Sequence, residues 1–200
     1  DLMPRLKTTT RNARAARILS AAVACFAHAG YHGTTMEDIA SEAGIAKGAI
    51  YLYFLSKEAL FLALYEQWGC DVRAAIAAAI AALPLAERAS PKRNLHLVVA
   101  VTGQQVQRDA PLCRILMEAR TLAAYVPAIA EHVTREQQQD QAQLEYVIRS
   151  GVAAGEWPAA TDVPTRATLM RATLQGLMAV WHAAPGSFDW AAAAASVVDW

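Results

Sequence analysis

The sequence predicts an all-α chain, and three observations carry that expectation. Hydrophobic residues make up 55% of the 200, above the usual globular share, with alanine supplying much of the excess. Alanine, leucine, arginine, glutamate and glutamine favour helix, whereas valine, isoleucine, threonine and tyrosine are too scattered to build strands. No stretch alternates apolar and polar residues with period two, while apolar residues recur at helical spacing along most of the chain. About nine helices are expected, in a small N-terminal domain over residues 1–57 and a larger helical domain over 58–200. A chain of this length buries a core without needing disulfides.

Residues 1–10, with Pro4, two basic residues and three threonines, read as a flexible arm. From Arg11 to Ala29, Ile18, Ala22 and Phe26, joined by Leu19 and Val23, give one apolar stripe on a first helix. Gly30 to Gly33 break it, with Gly30 placed just past the helix end, where positive φ is cheap only for glycine. Thr35 opens a second helix: its hydroxyl and the Asp38 carboxylate can cap each other, an arrangement Thr34 and Glu37 also match. Gly44 ends that helix, and a third runs from about Ala46 to Leu52. Ser56 is the N-cap of a long fourth helix carrying Glu58, Leu60, Leu64, Ile76 and Ile80 towards Pro84.

Pro84 to Pro91 is a connection. A fifth helix spans Lys92 to Arg108, and Pro111 starts a sixth in the first turn, where proline is tolerated. A seventh runs from Pro127 through Arg149 and stops at Gly151 or Gly155, with Glu136 to Gln143 as its wet face. Asp162 with Pro164 opens an eighth, which passes Leu169, Leu174, Leu177 and Trp181 to reach Pro185. A ninth starts at Ser187 or Asp189 and is still helical in pattern at Trp200, so further chain is expected beyond it.

Net charge is zero, so whole-chain charge says nothing about nucleic acid. Its distribution is uneven. Residues 1–60 carry seven cations (Arg5, Lys7, Arg11, Arg14, Arg17, Lys47, Lys57) against five acids, a net of +2. That suits local phosphate contact, although Arg11, Arg14 and Arg17 read equally as a solvated helix face. Cys25, Cys70 and Cys113 are odd in number and widely spaced, so they indicate neither a disulfide framework nor zinc, and each falls where a small buried hydrophobe is the default. The longest apolar run, Ala74 to Leu83, is too short to span a bilayer, and no signal-peptide pattern is present. A reduced, soluble, cytoplasmic protein is the expectation.

Two helices joined by a tight glycine turn, the second short and amphipathic, make a helix-turn-helix. Thr35 to Phe54, TMEDIASEAGIAKGAIYLYF, fits that description. Ile39, Ala40, Ala43, Ile45, Ile50 and Phe54 are the small and apolar positions that let the helices cross closely, and Ile50 and Phe54 lie one turn apart, facing inwards. Lys47 and Tyr51 are also one turn apart, on a face the core does not claim, where a recognition helix presents residues to a major groove. Gly48 between them removes a side chain where the backbone has to approach DNA or the first helix closely.

The run from Ala43 to Leu60, AGIAKGAIYLYFLSKEAL, resembles the signature of the TetR family of one-component repressors, with the likeness extending from Arg11 to about Tyr65. The resemblance implies an all-α homodimer with an N-terminal DNA-binding domain and a C-terminal domain for ligand and dimerisation. It implies that Ala46, Lys47, Gly48 and Tyr51 lie near bases or phosphates, that Thr35 faces phosphate at the start of the second helix, and that Tyr53 and Lys57 contact phosphate. Leu55 departs from the family pattern, where a basic or polar residue is common. The family's effector pocket lies inside the C-terminal helices, and the candidates for it here are Trp68, Met117, Glu118, Tyr125, Trp181 and His182. Tryptophan and methionine at helical spacing are ordinarily core.

No catalytic motif, cofactor or metal site is expected. His28 and His32 are four apart, but Gly30 interrupts the helix between them and no third ligand follows. His96, His132 and His182 have no zincin or nucleophile pattern around them. Small residues in the last two helices, Ala172, Gly176, Leu177, Val180 and Ala191 to Val198, suit either half of an isologous dimer interface over about 164–184 and 188–200 or a monomer that buries its last helix on its own body, and it is the family resemblance that implies the dimer. The expected function is a repressor released from a palindromic operator by a small molecule. The competing expectation is a helical enzyme or small-molecule carrier without DNA affinity.

Overall fold

Helix caps and glycine breaks divide the chain into ten α-helices and one 3-10 helix among the described residues, which are residues 3–199 of a computed structural model, with side chains described from Arg11 onward except that of Ala194. Asp1, Leu2 and Trp200, and the side chains of Arg5 and Lys7 counted above in the basic arm, lie outside them. The α-helices are α1 (Met3–Gly33), α2 (Met36–Glu42), α3 (Lys57–Ala82), α4 (Leu85–Arg88) and α5 (Pro91–Arg108), followed by α6 (Ala110–Met117), α7 (Ala119–Leu122), α8 (Pro127–Ala153), α9 (Val163–Ala183) and α10 (Trp190–Asp199). The 3-10 helix spans Lys47–Leu52. No strand forms among the described residues.

Several boundaries differ from expectation, each for a local reason. The predicted arm is helical from Met3, since Pro4 sits in the first turn, where its missing amide costs nothing. The third helix is 3-10 rather than α, because a six-residue segment without a side-chain cap closes tighter turns more readily than a full α-turn. The Pro84–Pro91 connection coils into α4, held where the Arg88 guanidinium donates to Leu83 O (2.7 Å) and Ala81 O (2.6 Å). The sixth helix divides into α6 and α7 at Glu118, whose amide reaches back only three residues to Ile115 O. Helix α8 continues through Gly151 and stops before Gly155, which takes φ +75°.

The chain forms two compact units, residues 1–68 with 111–130, and residues 69–110 with 131–200. In the first, Ile18, Ala22 and Phe26 of α1 are buried, as are Ile39 and Ala40 of α2, Ile50 of the 3-10 helix, and Leu60, Phe61 and Leu64 of α3. Phe26, Tyr31 and Phe61 form an aromatic triangle with centroids 5.3–6.0 Å apart. Gly30, at φ 71° and ψ 172°, kinks α1 and delivers Tyr31 into that triangle.

In the second unit, Leu95 and Val99 of α5, Ile148 of α8, Ala167 and Met170 of α9, Val198 of α10 and Trp157 build the core. Gly151 is glycine because the Trp157 ring packs on it: a Cβ there would stand 2.3 Å from two ring atoms. Asp162 caps α9 through the Thr165 amide, and Asp189 accepts from the amide of Ala191 at the start of α10. On α10, Trp190 and Val198 turn into the unit's own core, while Ala191, Ala192 and Ser196 face outwards. Leu169, Ala172, Thr173, Gly176 and Val180 leave one exposed face on α9, and Leu177 is half-buried.

Of the cysteines, Cys113 is buried and Cys25 half-buried, its thiol pushed up by burial and then by the charges of Glu42 and Asp38. Cys70 is exposed rather than buried, because its position on α3 turns it outwards, where Arg73 donates to its sulfur at 3.2 Å.

Candidate nucleic-acid interface

The helix-turn-helix is assembled by short-range capping and then by three cross-links to α1 and α3. Thr35, in extended conformation, accepts from the Asp38 amide (3.2 Å), and the Asp38 carboxylate accepts from both the Thr35 amide (2.9 Å) and hydroxyl (2.6 Å). This is the reciprocal capping box that the Thr35/Asp38 spacing predicts. It holds the Asp38 carboxyl below the usual carboxylate range, through the Thr35 hydroxyl first and the Thr35 amide second. Helix α2 ends where Gly44 takes φ +62°, a conformation side chains resist, and Arg17 of α1 donates to the Gly44 carbonyl at 3.2 Å, tying down the turn.

The 3-10 helix sits on the core by one residue. Ile50 is fully buried, whereas Ala46, Lys47, Gly48, Tyr51 and Leu52 are exposed, and Tyr53 and Phe54 are half-buried. The face opposite Ile50 is therefore open to a partner. Among the described residues, and apart from its chain neighbours and its own helix backbone, no atom lies within 4 Å of where a Gly48 Cβ would stand, so no described part of α1 requires glycine there. Lys47 Nζ meets Glu37 Oε1 at 2.6 Å, an exposed ion pair joining α2 to the 3-10 helix. The pair holds the Glu37 carboxyl below its ordinary range and the Lys47 ammonium above its own, in each case mainly through the hydrogen bond between them.

Lys57, the first residue of α3, points its ammonium inwards. Nζ donates to Tyr31 O (2.6 Å) and Thr34 O (2.8 Å) and stands 4.4 Å from the centroid of the Tyr31 ring. Partial burial lowers its pKa. The Tyr31 hydroxyl donates to Glu58 Oε1 at 3.1 Å; burial raises its pKa well above the ordinary phenol value, and the Glu58 charge raises it further. Buried Thr34 donates to Gly30 O at 2.8 Å, so α1, the α1–α2 loop and the start of α3 form one hydrogen-bonded corner.

Sequence reasoning missed several residues here. Glu37, Arg17 and Tyr31 act through contacts distant in sequence, and no local pattern announces those. Leu52 and Leu55 are 73% and 84% exposed, beside Tyr51 at 41%, so large apolar side chains crowd the open face. The family pattern already marks the Leu55 position as one for basic or polar residues, whereas the exposure of Leu52 becomes readable only from the direction of the 3-10 helix.

The six residues expected around an effector do not come together within either unit. Trp68, Met117, Glu118 and Tyr125 belong to the first, Trp181 and His182 to the second. Tyr125 is 77% exposed, and Trp68, Met117 and Glu118 are half-buried. Half-buried Trp181 packs on Phe188 (5.7 Å) and Trp190 (6.2 Å), and His182 is half-buried beside it in sequence. A cleft of about 310 Å³ between α9 and α10 is lined by Arg166, Met170, Thr173, Ser196 and Val197, none of them among the six. No group of three metal-ligating side chains occurs among the described residues. No described helix is long and apolar enough to cross a membrane.

A family model described as bacterial regulatory proteins of the tetR family matches residues 18–64, and one described as the C-terminal region of MAATS-type transcriptional repressors matches residues 106–200. The uncharacterized HTH-type transcriptional regulator YerO of Bacillus subtilis is 47% identical over 57 residues, 28% of this chain and 20% of that protein. The HTH-type transcriptional regulator RutR of Escherichia coli K12 is 45% identical over 67 residues, 31% of this chain and 32% of that protein. These matches span about a third or less of the relatives' own length. Among solved structures, the fatty acid degradation regulator FadR of Bacillus halodurans superposes with TM-score 0.76 at 22% identity, covering 93% of each chain. FadR of Bacillus subtilis, solved in complex with stearoyl-CoA, gives 0.76 at 24% identity over 92% of this chain and 95% of that one. At such identities these two show a shared fold. With both family models in register along the sequence, the chain belongs to the TetR family of bacterial transcriptional regulators.

Proposed function

We propose that the protein is a DNA-binding transcriptional regulator, a homodimeric repressor released from a palindromic operator by a small-molecule effector. One observation carries the reading: the 3-10 helix is anchored by buried Ile50 and exposes Lys47, Gly48, Tyr51 and Leu52 together on its outer face. In this reading that helix enters the major groove. Lys47 and Tyr51 reach base edges, Gly48 and Ala46 admit the backbone, and Thr35 and Tyr53 flank phosphates. Lys57 keeps one ammonium donor beyond its two carbonyl acceptors, enough for a single phosphate. The apolar end of Leu52 suits a thymine methyl group.

The exposed α9 face of Leu169, Ala172, Gly176 and Val180 supports a two-fold interface, with the outward side of α10 beside it. Such a dimer sets two recognition helices about 34–36 Å apart, one helical turn of DNA. The proposed domains are residues 1–57 for DNA and 58–200 for ligand and partner subunit, in a cytoplasmic protein that is not an enzyme. Because a regulator of the same fold was solved with stearoyl-CoA, a long-chain acyl-CoA is the first effector to test. Trp68, Met117, Glu118, Tyr125, Trp181 and His182 remain the proposed effector contacts.

The test is selection from random duplex DNA at stated salt, with Lys47→Ala/Tyr51→Ala as control. The parent protein is expected to enrich a palindrome that the double variant does not. A folded, dimeric parent that enriches nothing overturns the regulator reading and favours a ligand carrier or enzyme without DNA affinity.

A further inference from the structure

The open face of the helix-turn-helix has a charge balance that phosphate binding does not explain. Between Thr34 and Ser56 the sequence carries three carboxylates, on Glu37, Asp38 and Glu42, and a single cation, Lys47. Asp38 is occupied by the capping box. Glu37 is held by Lys47 itself, at 2.6 Å, with the two side chains 43% and 70% exposed. The cation best placed to meet base edges is therefore already paired with an acid, and carboxylates outnumber cations within the segment, Lys57 just beyond it being engaged with two backbone carbonyls.

An exposed ion pair of this kind is weak, because water and salt screen it and two long side chains must be ordered to make it. It breaks readily when a better acceptor arrives. On an arbitrary DNA sequence the ammonium meets phosphates and scattered single base acceptors such as adenine N7 and thymine O4, and moving Lys47 to a phosphate strands Glu37 beside a polyanion. On a cognate sequence a guanine offers O6 and N7 in the groove, and the ammonium accommodates them with one donor still directed at Glu37.

We propose that Glu37 is a specificity-setting residue that pairs with Lys47 to withhold the segment's one cation from phosphates and present it to a base edge. This rests on the regulator reading above. The partner is the major-groove edge of a G·C pair, and Glu37 acts through Lys47 rather than by touching DNA itself. Its effect is to lower affinity for all DNA while raising the ratio of operator to non-operator binding.

The experiment measures binding to the selected operator and to a scrambled duplex between 50 and 200 mM salt, for the parent, Glu37→Gln, Glu42→Gln and Glu37→Gln in a Lys47→Ala background. Releasing one ammonium to phosphate adds one contact, steepening the salt dependence on scrambled DNA by about 0.9 in logarithmic slope. The Glu37→Gln advantage over the parent on scrambled DNA should accordingly shrink about 3.5-fold across that salt range. Glu37→Gln is expected to show that change together with a lower operator-to-scrambled ratio, and Lys47→Ala should abolish both. Equal slopes for parent and Glu37→Gln overturn the proposal, as does an equal change in Glu42→Gln or one that persists without Lys47. A parent protein that selects no operator defeats the regulator reading instead, so the two failures are distinct.

Discussion

Replacing Lys57 by alanine separates a residue that merely touches DNA from one that holds the helix-turn-helix together. The ammonium donates to the carbonyls of Tyr31 and Thr34 at 2.6 and 2.8 Å, and both of those residues are buried. Hydrogen bonds from a charged group contribute about 1.5–3 kcal/mol each. Lys57 is itself half-exposed, so water replaces part of the interaction and solvent screening reduces it further. The lost contact with the Tyr31 ring adds about 0.5 kcal/mol, and the recovered hydration of the two carbonyls offsets a similar amount. The net cost works out near 2 kcal/mol, or about 30-fold in the local opening equilibrium. Hydrogen exchange followed by mass spectrometry over residues 30–60 reads that opening directly. Lys57→Ala is expected to accelerate exchange there about 30-fold. Lys47→Ala, a change on an exposed pair, should stay within about 0.5 kcal/mol, roughly twofold. Should Lys57→Ala exchange no faster than Lys47→Ala, the inward hydrogen bonds do not hold this corner and the reasoning fails.

Two further outcomes follow from glycines that have opposite reasons to be glycine. Gly48→Ala meets no atom of the described residues beyond its own helix, so it should leave the melting temperature unchanged or raise stability by up to about 1 kcal/mol, while weakening operator binding by about tenfold; equal operator affinity would remove Gly48 from the interface. Gly151→Ala puts a methyl 2.3 Å from the Trp157 ring, and overpacking of this kind costs about 1–3 kcal/mol. Because Trp157 is enclosed in the core, the upper end is expected, seen by calorimetry as a melting temperature lower by roughly 6–10 °C; an unchanged transition would mean that the ring has room to move.

Local chemistry made much of this protein legible in advance. The all-α class, the Thr35/Asp38 capping box, the positive φ of Gly30, the helix end at Gly44, the Ser56, Asp162 and Asp189 caps and the inward Ile50 each depend on residues within a few positions of one another. Such features are decided by backbone geometry and hydrogen-bond valence, which a linear sequence records. The family signature was legible for the same reason, since it is a register of small, apolar and aromatic residues over one short segment.

What tertiary structure alone decided depends on which distant side chains meet. Lys57 turns towards Tyr31 and Thr34, across more than twenty residues, because α1 kinks at Gly30 and brings those carbonyls to the start of α3. Glu37 captures Lys47 because the turn at Gly44 folds α2 back beside the 3-10 helix, and Arg17 holds that turn from α1. Gly151 lies inside α8 rather than at its end because Trp157 comes back onto it, a packing choice with no signal at the glycine itself. The effector candidates stand out by residue type, which reports an appetite for burial but not a neighbour, and the folded chain distributes them over two units. Periodicity and capping set where helices begin and which stripe is apolar; only the crossing of those helices decides which polar group answers which.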